Sequence, residues 1–152
     1  MLKKFHYTLS ERTVELRYFH LMKLSQRVAH ERLTKVCFND YDREIALVAE
    51  RCNPATGEPS IIAVGRLSRE PRGGEAEFAV LVSDEWQQLG LGTDLTIRCV
   101  EIAKAEGIGS IIATVLPGNR EMLVIFKRLG FEISMHARDG MMTARKDLSK
   151  PD

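Results

Sequence analysis

A chain of 152 residues, 44% hydrophobic and 28% charged, has the length and composition of one globular domain spanning 1–152, with enough apolar material for a sizeable core. Its 22 basic and 21 acidic side chains leave a formal charge of +1, which excludes a broad field built to hold nucleic acid. Cys37, Cys52 and Cys99 form no CxxC pair and no apolar run reaches membrane-spanning length, so a cytoplasmic protein with reduced thiols, no membrane segment and no signal peptide is expected.

In chain order, the sequence opens with helical patterns. Ser10 can cap a helix on which Val14, Tyr18 and Leu21 recur at helical spacing, and Ser25 can cap a shorter one through Val28 and Leu33. Glu44 to Glu50 is an apolar run of strand length. The turn-rich Asn53-Pro54-Ala55-Thr56-Gly57-Glu58-Pro59 separates it from a second strand, Ile61 to Leu67. Pro71-Arg72-Gly73-Gly74 then leads into a third, Glu75 to Val82, and two turn-bounded connections in succession predict an antiparallel meander. The next helix carries Leu91, Leu95, Cys99 and Ile102 on one stripe, turns Arg98, Glu101 and Lys104 away, and ends at Gly107 and Gly109. Ser110 to Leu116 suits a strand buried on both faces. After it, Asn119 can cap a helix striped by Met122, Ile125, Phe126 and Leu129, with Lys127 and Arg128 in its last turn and Gly130 as its stop. Phe131 to Met135 and Met141 to Arg145 read as closing strands. The whole is a mixed α/β order.

The run Gln87-Gln88-Leu89-Gly90-Leu91-Gly92-Thr93 lies between a strand and a helix. Glycines there let the backbone approach a ligand, and a helix N-terminus offers unpaired N–H groups to a phosphate. It is no P-loop, because Thr93 and Asp94 follow Gly92 where lysine would stand. It is no dinucleotide fingerprint either, because Leu95 holds the place of the third glycine. His6, His20, His30 and His136 are scattered without ligand spacing, so no metal site is expected.

Gln-x-x-Gly-x-Gly at 87 to 92, after a strand and before an amphipathic helix, resembles the acyl-CoA-binding motif of the GNAT N-acetyltransferase superfamily. Asn119 through Leu129-Gly130-Phe131 resembles its second hallmark, and the order of elements agrees from Glu44 to Arg145, an implied core of about 44–146. Asp40-Tyr41-Asp42-Arg43-Glu44 before Ala46-Leu47-Val48-Ala49, together with Ala76-Glu77-Phe78-Ala79-Val80 and Leu16-Arg17-Tyr18-Phe19, resembles the acetyltransferase domain of bacterial protein-lysine acetyltransferases. In that group the domain is often fused to an acyl-CoA-synthetase-like module, a possible partner here. The implied fold is a mixed, mostly antiparallel sheet flanked by helices, with a splayed central strand pair. The strand that usually opens such domains is expected to be absent from this chain.

The resemblance implies acetyl-CoA as co-substrate, in a cleft where the third strand parts from the strand at 110–116. Backbone groups of Val80, Leu81 and Val82 would pair with the pantetheine arm. The amides of Gln88, Leu89, Gly90, Leu91, Gly92 and Thr93 would hold the pyrophosphate, with Gln87 opening the motif. Asn119 is carried over as a pantetheine contact, though it can equally be only a helix cap. Lys127 or Arg128 could assist at the nucleotide end, or be solvated residues of a helix C-terminus. Phe126 occupies the position of a tyrosine that in many such enzymes protonates the leaving thiolate, and it has no proton to give. Alternation puts Glu75, Glu77, Ala79 and Leu81 on one face of their strand. Glu77 is the expected catalytic base, with partial desolvation raising its pKa, and Glu75 is the rival one strand period away. Cys99 lies on a core stripe, which favours direct transfer over a cysteine intermediate. The acceptor expected is a protein lysine, drawn by an acidic rim of Asp40, Asp42 and Glu44. A small amine acceptor and a non-catalytic acyl-CoA sensor are the alternatives.

Overall fold

The computed structural model describes residues 1–19, 22–37 and 42–151. Four short helices come first: α1 (Leu2–Tyr7), α2 (Glu11–Tyr18), α3 (Leu24–Arg27) and α4 (His30–Cys37). The spacing did not predict α1, whose six residues hold little more than one turn. Its stability comes from Phe5, buried at 2% exposure, rather than from periodicity. Ser10 caps α2 through its hydroxyl, which accepts the Thr13 N–H at 3.2 Å, and Phe19 ends the helix with φ 65°. Leu21, expected on the same stripe, lies outside the described residues. The single helix expected from Ser25 is two pieces, with Lys23 rather than Ser25 at the cap of α3. Buried Arg27 donates to the carbonyls of Met22 and His6, at 3.2 and 3.1 Å, and so holds the turn between α3 and α4 against the N-terminal segment.

Six strands form one sheet: β1 (Glu44–Cys52), β2 (Pro59–Arg69), β3 (Glu75–Val82), β4 (Ser110–Val115), β5 (Glu132–Met135) and β6 (Met142–Asp147), in spatial order β1-β2-β3-β4-β6-β5. Among the described residues no strand precedes β1. The first three form the antiparallel meander, β4 is parallel to β3, and β6 lies antiparallel between β4 and β5. This is a mixed, mostly antiparallel sheet flanked by helices. The parallel pair needs a crossover, and α5 (Leu91–Ala105) supplies it. A second connecting helix, α6 (Arg120–Arg128), starts on Asn119, whose side-chain oxygen accepts the Met122 N–H at 3.3 Å.

Alternation along the strands yields two cores. Leu67, Ala76, Phe78, Ile111 and Ala144 meet α5 and α6 on one face, where Cys99, Ala103 and Phe126 close a large apolar cluster. On the opposite face α1 and α2 bring Phe5, Leu9 and Val14 onto Leu81, a much smaller cluster.

Candidate active site

The site begins where β3 and β4 separate. At their first residues the strands are cinched together: the Gly74 carbonyl accepts the N–H groups of Gly109 and Ser110, at 2.6 and 3.2 Å. A Cβ on Gly109 would stand 3.2 Å from that carbonyl oxygen, so the close approach favours glycine. Glu75 accepts from the Ser110 hydroxyl at 2.9 Å and pairs with Arg145 at 2.7 Å, which clamps the same end. Pairing then runs through Ala76↔Ile111 and stops at Glu77↔Ile112. From Phe78 to Val82, β3 is paired only with β2, so its other edge offers main-chain groups to an extended ligand.

Beyond β3 the chain makes a tight 3-10 turn, Asp84–Trp86, and reaches the glycine turn. Gln88 has φ 59° and Gly90, the N-cap of α5, has φ 90° with no side-chain cap. The first helical bond is Asp94 N–H to the Gly90 carbonyl at 2.9 Å. The main-chain N–H groups of Gln88, Leu89, Gly90, Leu91, Gly92 and Thr93 therefore reach no acceptor among the described residues. Six donors around the positive end of a 15-residue helix suit a diphosphate. The first turns of α6 come to the same place: the Gln88 side-chain amide donates to Glu121 at 2.9 Å, and the position a Gly92 Cβ would take lies 3.5 Å from Ile125.

Three of the residues singled out in the sequence place their side chains away from the glycine turn. The Gln87 amide points back, donating to the Val82 carbonyl at 3.1 Å and to the Thr13 hydroxyl at 3.0 Å, so it fastens α2 to the end of β3. Phe126 is 2% exposed, edge-on to Phe78 and 4.8 Å from the Phe131 ring, so its side chain belongs to the core. Arg128 lies about 10 Å along α6 from Glu121 by helical rise, in a groove with Lys104, Leu129 and Arg145. Seven residues of helix carry it away from the glycine turn.

Glu77 is exposed, not partly desolvated, and makes no hydrogen bond or ion pair among the described residues; its rival Glu75 is committed to the clamp. The Glu77 charge acts on Arg17 of α2. Burial pushes that guanidinium below its ordinary value, Tyr18 and Glu77 oppose the shift, and Arg66 and Arg32 add to it. Sequence reading gave these arginines no role at the site. The signal was register: Arg66, midway along an apolar stretch of β2, lies directly across from Ala79 and so shares the face of Glu77. Of the acidic rim, Glu44 is 3.8 Å from Arg66, Asp42 is exposed, and Asp40 lies outside the described residues, as does Tyr41. Burial pushes the Cys99 thiol up to about 12, which leaves it protonated and unsuited to nucleophilic attack. Among the described residues no three His, Cys, Asp or Glu side chains gather as metal ligands, and no helix is long and apolar enough to cross a membrane.

Comparison with known proteins supplies a context for this geometry. The sequence profile of the Acetyltransferase (GNAT) family matches residues 15–131. An L-methionine sulfoximine/L-methionine sulfone acetyltransferase of Pseudomonas aeruginosa is 38% identical over 61 residues, 40% of this chain and 36% of that protein. The match thus spans about a third of that relative's length. The GNAT domain of S. lividans PAT superposes with a TM-score of 0.81 at 26% identity, over 96% of this chain and 82% of that one. A spermidine N-acetyltransferase from Vibrio cholerae, solved with CoA and spermine, shares the fold at a TM-score of 0.77 and 16% identity, covering 98% and 90% of the two chains.

Proposed function

The chain belongs to the acetyltransferase (GNAT) family, and from that premise we propose that it acetylates a primary amine with acetyl-CoA bound in the β3/β4 cleft and Glu77 as proton acceptor. The observation that carries this reading is the end of β3–β4 pairing at Glu77, which opens a strand edge beside the only carboxylate of β3 left without a partner among the described residues. The fit to acetyl-CoA rests on two features: the unpaired edge of Val80, Leu81 and Val82 for the amides of the pantetheine arm, and the donors of residues 88–93 for the diphosphate. Gln87 fixes the end of β3 from behind, and Asn119 holds the start of α6 beside the turn.

When bound, acetyl-CoA supplies an activated thioester whose C–S bond breaks as the C–N bond forms, the thiolate carrying off one amine proton. Glu77 does the chain's part. An ammonium cannot attack until it loses a proton, and an unpaired carboxylate at the mouth of the cleft takes it directly or through one water. Phe126 offers no proton and Cys99 no thiolate, so the reading is direct transfer with the second proton leaving on the thiolate.

The acceptor is a protein lysine, brought by a partner such as an acyl-CoA-synthetase-like module, or a small amine. Likeness to the GNAT domain of S. lividans PAT and to the L-methionine sulfoximine/L-methionine sulfone acetyltransferase bears on both. One experiment tests the core of the proposal. Calorimetric titration and acetyl transfer to an amine panel are followed in wild type, Glu77→Gln and Gly90→Glu. Glu77→Gln should lose roughly 10²–10⁴-fold in kcat while keeping its affinity for acetyl-CoA. Gly90→Glu, which sets a carboxylate among the amides, should weaken acetyl-CoA by more than about tenfold. Gly90→Ala controls for the φ 90° strain. Equal turnover in Glu77→Gln would remove it as the base.

A further inference from the structure

A second cavity opens on the α1/α2 face of the sheet, beside Glu77. Its volume is about 80 Å³, room for a small head group and too little for a peptide. Its floor is Val64, Ala79 and Leu81. Its walls carry Arg17 and Tyr18 of α2, Arg32 of α4, Arg66 of β2 and His6 of α1. No carboxylate is among the residues that line it.

Three guanidinium groups around so small a space repel one another, and each gives up hydration to be there. Part of the cost is met locally, and Arg66 lies 3.8 Å from the Glu44 carboxylate. Arg17 and Arg32 flank the Tyr18 ring at 4.9 and 5.2 Å from its centroid, and Arg32 donates to the Tyr18 hydroxyl at 3.0 Å and to the Arg27 carbonyl at 2.9 Å. Arg17 has no hydrogen bond or ion pair among the described residues. His6 is a second and independent sign. It is 3% exposed, and its Nδ1 is buried with no hydrogen-bond partner. An orphaned polar atom and a half-buried, unpaired guanidinium lining one cavity are features of a site whose remaining partner is a ligand. That ligand must be anionic, small and partly apolar. A carboxylate meets a guanidinium through two parallel hydrogen bonds, which is the geometry arginine favours.

Distance along β3 links this cavity to the proposed chemistry. Glu77, Ala79 and Leu81 share a face, so Glu77 leaves the strand one period, about 7 Å along the backbone, from the cavity floor at Ala79. An α-amino acid, with its ammonium and carboxylate on one carbon, fits that interval once each charged end keeps a hydrogen-bond length to its partner, with its anion at Arg17 and its cation toward Glu77. We propose that the cavity binds the carboxylate of the acceptor, so that the amine acetylated is the amino group of a small amino acid. This rests on the N-acetyltransferase reading above and chooses between its acceptors. A lysine side chain brings no carboxylate on its own arm, so the cluster gives it nothing to bind.

The test uses the twenty L-α-amino acids, their α-carboxamides and lysine-containing peptides. Each is titrated calorimetrically without acetyl-CoA and then assayed for acetylation with it. At least one amino acid should bind, its carboxamide binding about tenfold to a hundredfold more weakly. Arg17→Gln should erase that discrimination by weakening the amino acid while leaving the carboxamide and acetyl-CoA affinities as they were. Arg66→Gln should act in the same sense if Arg17→Gln proves poorly folded. Carboxamides binding as well as acids, binding by none of the twenty, or turnover confined to lysine peptides would each overturn the proposal. Failure of acetyl-CoA to bind would instead strike the enzymatic reading, because the titrations without it report on the cavity alone.

Discussion

Strand β3 contributes Ala76, Phe78 and Val80 to one face of the sheet and Glu77, Ala79 and Leu81 to the other, and the two faces are covered in unlike ways. On the first, α5 and α6 close a cluster in which Phe78, Phe126 and Phe131 touch ring to ring, and the thiol of Cys99 is its most polar buried side-chain group. On the second, short helices cover Leu81 with Phe5, Leu9 and Val14, then give way to three guanidinium groups and a buried histidine. Alternation hands a strand two faces at no extra cost in sequence. Here one face supplies the stability and the other gives some of it up to hold polar groups in apolar surroundings. Phe126→Ala is the strongest test of that division. The ring is 2% exposed and leaves a cavity between α6 and β3, so the loss should be about 3–5 kcal/mol in urea unfolding. A loss below about 1 kcal/mol would show that the α5/α6 face is not where the stability resides.

The polar face should show its cost in its response to acid. Burial, then Arg32 and Arg27, lower the pKa of His6 from 6.5 to about 4. Arg17 and Arg66 line the same cavity. In the unfolded chain His6 titrates near its ordinary value, so between pH 6.5 and 4 the unfolded state binds the extra proton. Stability is complete above about pH 6.5 and falls as the pH drops toward 4, by up to about 3 kcal/mol. Urea midpoints measured at pH 7 and pH 4.5 in wild type and His6→Gln check this. The wild type should lose stability and the variant should lose much less. Equal slopes would mean that His6 pays no penalty for its place beside the arginines.

The first face was the more legible of the two. Its residues follow local rules: β3 spans Glu75–Val82 as the alternation predicts, α5 begins at Leu91 directly after Gly90, and Asn119 caps α6. Each of those signals lies within a few residues of the feature it marks, Gly90 as the N-cap of α5 and Gly92 within its first turn. The second face is assembled from residues 6, 17, 32 and 66, which only the tertiary fold brings together. No period connects them. Helix α1 is too short to show one, and α3 and α4 are divided by the buried side chain of Arg27, not by a breaker residue. Arg128 illustrates the opposite limit. Its local setting, a basic residue in the last turn of α6, is as read, but a role at the nucleotide end depends on the course of a bound ligand, which no local signal carries.

A smaller effect separates the two faces at their junction. Asp84, in the 3-10 turn between β3 and the glycine turn, accepts the Ser10 N–H at 2.8 Å and so anchors the start of α2 to the segment that leads into α5. Burial alone would raise its pKa. Hydrogen bonds from the hydroxyl and amide of Ser10 and from the Thr13 hydroxyl outweigh that and hold the carboxyl below the usual carboxylate range. A depressed carboxylate contributes stability above its unfolded pKa and loses it as pH falls toward the folded one, so its window lies below about pH 4, under that of His6. Asp84 is exposed, so screening keeps the effect small: Asp84→Asn should cost about 0.5–1 kcal/mol at pH 6, read as a drop in Tm. The difference from wild type should persist unchanged from pH 7 to pH 5, while His6 titrates, and close only in stronger acid. A gap that closed together with the His6 transition would mean that the α1/α2 face and the turn leading to α5 respond to acid as one unit, and the division between faces would then fail at this junction.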